Sequence, residues 1–169
     1  RARRMHGAKS PEGRAGIAVN APFTKLINLV VHDLANNNLS GNSYGSEIYG
    51  CIAYCNGADD NLVHNWYPQN ANAAHPKIFA ECIDCNSAAY GLHMYSGGSG
   101  PLDGFTIEGC VTFNNGTSRV GPGLRKPNLL IGGALPASRI VIRDCFSWAE
   151  SPGGRNWEFG YKTDRNQDI

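Results

Sequence analysis

The sequence predicts an all-β protein wound as a coil of short strands, about five turns long. Three observations predict it. One phrase recurs four times, as Ile48-Tyr49-Gly50-Cys51-Ile52, Phe79-Ala80-Glu81-Cys82-Ile83, Ile107-Glu108-Gly109-Cys110-Val111 and Ile142-Arg143-Asp144-Cys145-Phe146. A phrase repeated at intervals marks structural units whose apolar faces are covered by the next copy. The intervals themselves are irregular, which suits a coil whose turns vary in length and does not suit stacked helix pairs of constant length. Finally, no window keeps an apolar stripe at helical spacing for three turns, and the 21 glycines interrupt most candidates.

Taken in order, residues 1–13 are expected to be a flexible tail. Its basic cluster Arg1, Arg3, Arg4 has no apolar run behind it and so does not resemble a signal peptide. Residues 14–162 form the repeat domain and residues 163–169 a second tail. Residues 25–31, 104–107 and 138–142 are rich in β-branched side chains and bounded by Pro, Gly, Ser and Asn, as strands are. The phrase Val31-His32-Asp33-Leu34 fits the repeat frame, with Leu34 in the cysteine slot. Between the phrases lies a second set of strands that align without gaps: Gly16-Ile17-Ala18-Val19-Asn20, Asn65-Trp66-Tyr67-Pro68-Gln69, Gly91-Leu92-His93-Met94-Tyr95 and Asn128-Leu129-Leu130-Ile131-Gly132. With Ile17, Trp66, Leu92 and Leu129 inward, Tyr67 neighbours His93 and Gln69 neighbours Tyr95 on the outer face, about 4.8 Å apart. Asn56, Asn86, Asn114 and Asn115 follow the phrases, where a tight corner needs a residue that tolerates the left-handed backbone.

Three runs carry a family resemblance. They are Thr24-Lys25-Leu26-Ile27-Asn28-Leu29-Val30-Val31-His32-Asp33, Ser46-Glu47-Ile48-Tyr49-Gly50-Cys51-Ile52-Ala53-Tyr54 and Gly104-Phe105-Thr106-Ile107-Glu108-Gly109-Cys110-Val111-Thr112-Phe113-Asn114-Asn115-Gly116. They resemble the right-handed parallel β-helix repeat proteins, the superfamily of pectate lyases and polygalacturonases. The resemblance implies a right-handed parallel β-helix of about five coils. One departure stands out: a corner position often held by asparagine in such repeats is cysteine here. Equivalent positions stack, so Cys51, Cys82, Cys110 and Cys145 read as a ladder of buried thiols. Disulfides and a zinc site are the other readings, since Cys82 and Cys85 form a C-x-x-C and Cys51 and Cys55 lie close in sequence.

A net charge of +1 gives no electrostatic reason to expect nucleic acid, and no run approaches the roughly 18 apolar residues of a membrane span. The resemblance implies a secreted or cell-surface protein with a polysaccharide or glycan partner. If it is catalytic, β-elimination on uronate-containing glycans is implied, which needs a base and a cation such as calcium, arginine or lysine. The candidate catalytic residues are His93 and Tyr67. The candidate substrate-binding residues are Tyr67, Gln69, His93, Tyr95, His64 and Asn70, with Lys77 and Arg143 as further bases. No metal ligands are assigned. Calcium stays open because Asp33, Glu81, Asp84, Glu108 and Asp144 occupy related positions from which some could stack on an outer face, although Glu81, Glu108 and Arg143 read as a surface ion-pair group. For hydrolysis, Asp59-Asp60 is the only adjacent acid pair, and the Gly-His-Gly and Arg-Ile-Lys motifs of polygalacturonases are missing. The alternative from a different class is a non-catalytic structural or adhesive module that self-associates through open coil ends into a homo-oligomer or filament.

Overall fold

Single left-handed residues set the corners of this chain. A computed structural model describes residues 16–34, 39–57, 63–70, 72–97, 102–116, 125–149, 154–161 and 166–169. Asn28, Gly50, Glu81, Gly109 and Asp144 all have φ between 53 and 61°, and four of them directly precede the cysteines of the repeated phrases. Asp33, Cys55, Asn86 and Asn114, with φ between 51 and 56°, form the equivalent set one strand later. One αL residue bends a strand sharply without a loop, a conformation Gly, Asn and Asp adopt most readily. Down the first corner, side chains alternate with bare backbone. A Cβ at Gly50 would collide with the Asn28 amide, and one at Gly109 with the Glu81 carboxylate.

Cut at these corners, the chain forms coils of three strands. The first is β1 (Ile17–Ala18), β2 (Lys25–Ile27) and β3 (Val30–His32), and the second β4 (Leu39–Gly41), β5 (Glu47–Tyr49) and β6 (Ile52–Tyr54). The third is β7 (Trp66–Pro68), β8 (Lys77–Ala80) and β9 (Ile83–Cys85), and the fourth β10 (Leu92–Ser96), β11 (Leu102–Glu108) and β12 (Val111–Phe113). The fifth is β13 (Leu129–Gly133), β14 (Ala137–Arg143) and β15 (Phe146–Trp148), with β16 (Trp157–Tyr161) opening a sixth. Sheet I runs β1-β4-β7-β10-β13-β16, sheet II β2-β5-β8-β11-β14 and sheet III β3-β6-β9-β12-β15. Every ladder is parallel. The protein is a parallel β-helix, as expected.

The structure corrects three details. The first copy of the repeated phrase is Leu26-Ile27-Asn28-Leu29: Leu29 holds the cysteine slot, 22 residues before Cys51, whose sulfur receives its N–H. Asp33 instead belongs to the next corner. Residues 25–31 are split by Asn28 into two strands on different sheets. And β4 lies between β1 and β7, so the strands at Ile17 and Trp66 are not neighbours. At the far end, Gln167 bridges Ser138 and the Ile140 N–H donates to the Asp168 carbonyl at 2.9 Å, so residues 166–169 lie along the edge of sheet II. The expected 1–13 tail and the Asp59-Asp60 pair fall outside the described residues.

The interior is filled rather than hollow. Trp66, Leu92 and Leu129 of sheet I face Ile48, Phe79, Phe105 and Ile107 of sheet II across one apolar core. A void of about 30 Å³ remains inside. That is far below the roughly 300 Å³ of a small ligand site, so this void does not hold a ligand. The thiols of Cys51, Cys82, Cys110 and Cys145 line the II/III corner and donate to backbone carbonyls at 3.2–3.6 Å. All six cysteines are thiols. The Cys145 thiol is held above its ordinary pKa, first by its hydrogen bond with Cys110 and then by burial.

Sheet III is inverted. Its inward positions are Val31 and Ala53, then the polar Asp84, Thr112 and Ser147, while its outward positions are apolar or aromatic. The inward polar groups feed an amide ladder along the III/I corner. Asn65 accepts from Asn56 at 2.8 Å and donates to the Asp84 carboxylate. Thr112 and Asn115 donate to the other Asp84 oxygen at 3.0 and 3.3 Å. Asn115 then donates to Asn128 at 3.1 Å, and Asn128 to Ser147 at 3.1 Å and Asn156 at 3.3 Å. Stacked asparagines are therefore present, at a different corner from the cysteines.

Lys77 also faces inward, fully buried beside Phe105, with its Nζ donating to the Gly41 carbonyl at 3.1 Å. Burial pulls its pKa down to about 8. Between pH 8 and the ordinary 10.5 the unfolded chain alone holds this proton, so stability rises with pH through that window. Lys77→Met is expected to stabilise the protein at pH 7 by about 1–3 kcal/mol and to remove that alkaline rise. Urea unfolding at pH 7, 9 and 10.5 measures both effects.

Candidate functional site

The outer face of sheet I holds most of the candidate residues, and strand register places them together. Trp66 pairs with Leu92 and Leu92 with Leu129, all inward, so Tyr67, His93 and Leu130 follow outward on neighbouring rungs. The Tyr67 and His93 ring centroids are 5.2 Å apart, and His93 and Tyr95 5.4 Å. The side-chain amide of Gln69 donates to the Tyr95 carbonyl at 3.1 Å. His64, just before β7, lies 4.1 Å from His93 and 5.6 Å from Tyr67. The neighbour relations inferred from alternation are therefore present.

Their exposure is a different matter. The turn ahead of β10 carries Ala89 and Tyr90 onto this face, where they bury Leu130 completely. The Tyr90 ring stacks on His93 at 4.0 Å and 8°. Lys126 in turn reaches over Tyr90, its Nζ 5.4 Å from the ring centre. The result is a layered cluster in which His93, His64 and Gln69 are buried, while Tyr67 and Tyr95 are half-buried at the surface.

Electrostatics follow from that layering. Burial, then the His64 ring, then Lys126 push the pKa of His93 down to about 2, and its Nδ1 has no partner among the described residues. Such an imidazole stays neutral and accepts protons poorly. Tyr67 is shifted upward by burial and by Tyr95, so it holds its proton more firmly than a free phenol and supplies less phenolate. A cluster of this kind offers rings and a fixed polar edge rather than proton transfer.

The remaining candidates lie elsewhere. Asn70 is buried at the I/II corner, donating to the Asp103 and Gly104 carbonyls at 2.8 and 2.7 Å, so it pins backbone. Lys77 is inside the coil. Arg143 is on the outer face of sheet II, donating through Nε to Glu108 at 2.7 Å. The acids do not converge. Asp84 points inward, Asp33 holds a III/I corner beside His32 (2.7 Å), and Glu81 and Asp144 hold II/III corners. No group of three or more potential metal ligands forms among the described residues.

No protein-family model, no curated protein and no solved structure matches this chain. The site is therefore judged on its own geometry. Tyr90 and Lys126 are the neighbours of this cluster that sequence reasoning missed. Both lie outside the strands, where no periodicity assigns a face, and only the packing of Tyr90 on His93 and of Lys126 over Tyr90 places them at the site.

Proposed function

We propose that the protein is a secreted or cell-surface β-helix of the pectate lyase-like kind that binds polysaccharide on the outer face of sheet I. Tyr67 and Tyr95 are the stacking rings. His93, His64 and Tyr90 form the rigid support beneath them, and Lys126 beside Tyr90 supplies a positive charge suited to uronate carboxylates. One observation carries this proposal: two half-buried tyrosines rest on a packed ring cluster, so little side-chain entropy remains to be lost on binding. Sugar rings present apolar faces that dock on such platforms. Burial of the candidate base favours binding over β-elimination.

Affinity electrophoresis in gels containing pectate, alginate or neutral polysaccharides, with and without calcium, tests the proposal. Retardation in a uronate gel is expected. Tyr67→Ala and Tyr95→Ala should each weaken it about 5- to 30-fold, the equivalent of about 1–2 kcal/mol for one stacking ring. A wild-type chain that migrates alike in every gel would sink the proposal. Strong absorbance from unsaturated products would restore elimination.

A structural or adhesive module is the second reading, and exposed apolar side chains on the last described rung favour it. Trp157, Phe159 and Ile169 are 38, 46 and 46% exposed around a recess that also touches Ile142. Apolar side chains exposed beside a strand edge can pair with a further rung, from this chain's continuation or from a second copy.

A further inference from the structure

The outer face of sheet III has no part in the glycan proposal, yet its described outward positions are apolar or aromatic. Register lines up Val30, Ile52, Ile83, Val111 and Phe146 in one outward column. His32, Tyr54, Cys85, Phe113 and Trp148 form a second, with Cys85 its covered member. None of these ten positions is Asp, Glu, Lys or Arg. Val30, Phe146 and Trp148 are 57, 59 and 49% exposed, and His32 stacks flat on Tyr54 at 4.8 Å and 9°.

We propose that sheet III is the contact face of an antiparallel two-fold dimer of this chain. Three features select a second copy as the occupant. The strip holds no Asp, Glu, Lys or Arg, and its one imidazole, His32, is already paired with Asp33 at 2.7 Å, so pairing the strip with itself brings no unpaired like charges together, as an isologous interface requires. Its rungs repeat at the parallel-strand spacing of about 4.8 Å, so a copy matches it along its whole length, whereas an unrelated surface matches only locally. With aromatic side chains at about 150–250 Å² each, the strip leaves on the order of 600 Å² uncovered. That reaches the upper limit of about 600 Å² for patches on monomers and approaches the roughly 800 Å² per partner of a standard interface.

Side-chain volume then selects the orientation. A two-fold axis along the strands, through the third rung, sets the two coils antiparallel. Val30 then faces Phe146 of the second copy, Ile52 faces Val111, and Ile83 faces itself. In the other column His32 faces Trp148 and Tyr54 faces Phe113. At both ends of the strip a smaller side chain meets a larger one, while Cys85 faces itself at the centre, so neither end is wedged open. A two-fold axis along the coil instead sets Phe146 against Trp148 at one end and Val30 against His32 at the other, which wedges the sheets apart. Even packing at about 10 Å is the arrangement that face-to-face sheets adopt.

Sedimentation velocity over a dilution series tests the dimer, with far-UV circular dichroism and a cooperative melt confirming that each variant folds. Wild type is expected to be a dimer at tens of micromolar. Val30→Lys and Phe146→Glu each place a charge on an exposed position and should weaken dimerisation at least tenfold. An equimolar mixture of the two variants should restore dimers, because the introduced charges face each other only in the antiparallel pair. A monomeric wild type overturns the proposal, as does a dimer that survives both substitutions. Larger species indifferent to both would assign assembly to the coil ends. A mixture that stays monomeric overturns the antiparallel orientation. If wild type is monomeric and Phe146→Glu abolishes retardation in polysaccharide gels, the strip belongs to a glycan and the dimer is wrong. Loss of binding in Tyr67→Ala with dimerisation intact would bear on sheet I alone.

Discussion

Asp84→Ala is expected to lower the unfolding free energy by about 3–5 kcal/mol at pH 5, read from urea unfolding. The carboxyl is fully enclosed at the centre of the amide ladder, where Asn65, Thr112 and Asn115 all donate to it. Alanine takes an acceptor from all three: the Asn65 amide keeps the Ala53 and Cys85 carbonyls and the Asn115 amide keeps Thr112 and Asn128, but the Thr112 hydroxyl loses its acceptor. A buried unsatisfied group costs about 1–3 kcal/mol, and the gap left by the carboxyl adds a cavity cost. Burial raises the Asp84 pKa from 3.8 to about 7, against the opposing pull of the same three donors. The native state thus keeps the proton to higher pH than the unfolded chain does. The resulting stabilisation is complete below about pH 4 and is lost as pH rises through about 7, a change of at most about 4 kcal/mol. Asp84→Asn should remove this fall. If it leaves the pH dependence of stability unchanged between 4 and 7, the assignment of that slope to Asp84 is wrong.

Acid lability governed by His93 is the second large effect. Its folded pKa, near 2, lies below the unfolded value of 6.5, so only the unfolded chain gains a proton as pH falls. The contribution of the neutral ring is therefore present above pH 6.5 and is lost steadily below it, by several kcal/mol at pH 4. In the wild type this loss runs against the Asp84 gain between pH 4 and 6.5, and the net slope there is shallow. Asp84→Asn should uncover it as a steep acid limb. His93→Phe keeps the stack on Tyr90, and should move acid unfolding to lower pH while changing stability at pH 7 by less than about 1.5 kcal/mol. Acid titrations of the two variants, followed by circular dichroism, separate the effects. An acid limb that His93→Phe does not shift would falsify this account.

The same residues show how far the sequence could be read. Corners were partly legible: the repeated cysteines and the asparagines that follow them marked where the chain bends, and alternation set Trp66, Leu92 and Leu129 inward. The left-handed residues themselves, Gly50, Glu81, Gly109 and Asp144, lie one position before those cysteines. Strands of three residues were harder. Leu39–Gly41 carries too little pattern to be distinguished from a turn, and only pairing with β1 and β7 makes it a strand. The ring cluster was legible as adjacency but not as burial. Alternation sends His93 outward from the coil, and nothing in the repeat says that Tyr90 folds back over it. Sheet III follows the same logic. Ile83-Asp84-Cys85 and Phe146-Ser147-Trp148 alternate as half-buried strands do, and hydrophobicity alone would put the apolar members inside. The corner thiols point inward and fix the parity the other way, with Asp84 in and Phe146 out.

By itself the sequence determined a stack of coils, because repeated phrases bounded by left-handed residues leave one economical way to cover each unit's apolar face. Which outward residues are covered, and which polar ones are enclosed, was decided by the tertiary structure. Those outcomes depend on turns of irregular length folding across neighbouring rungs. Contacts of that kind join residues distant in sequence and leave no period in it to read.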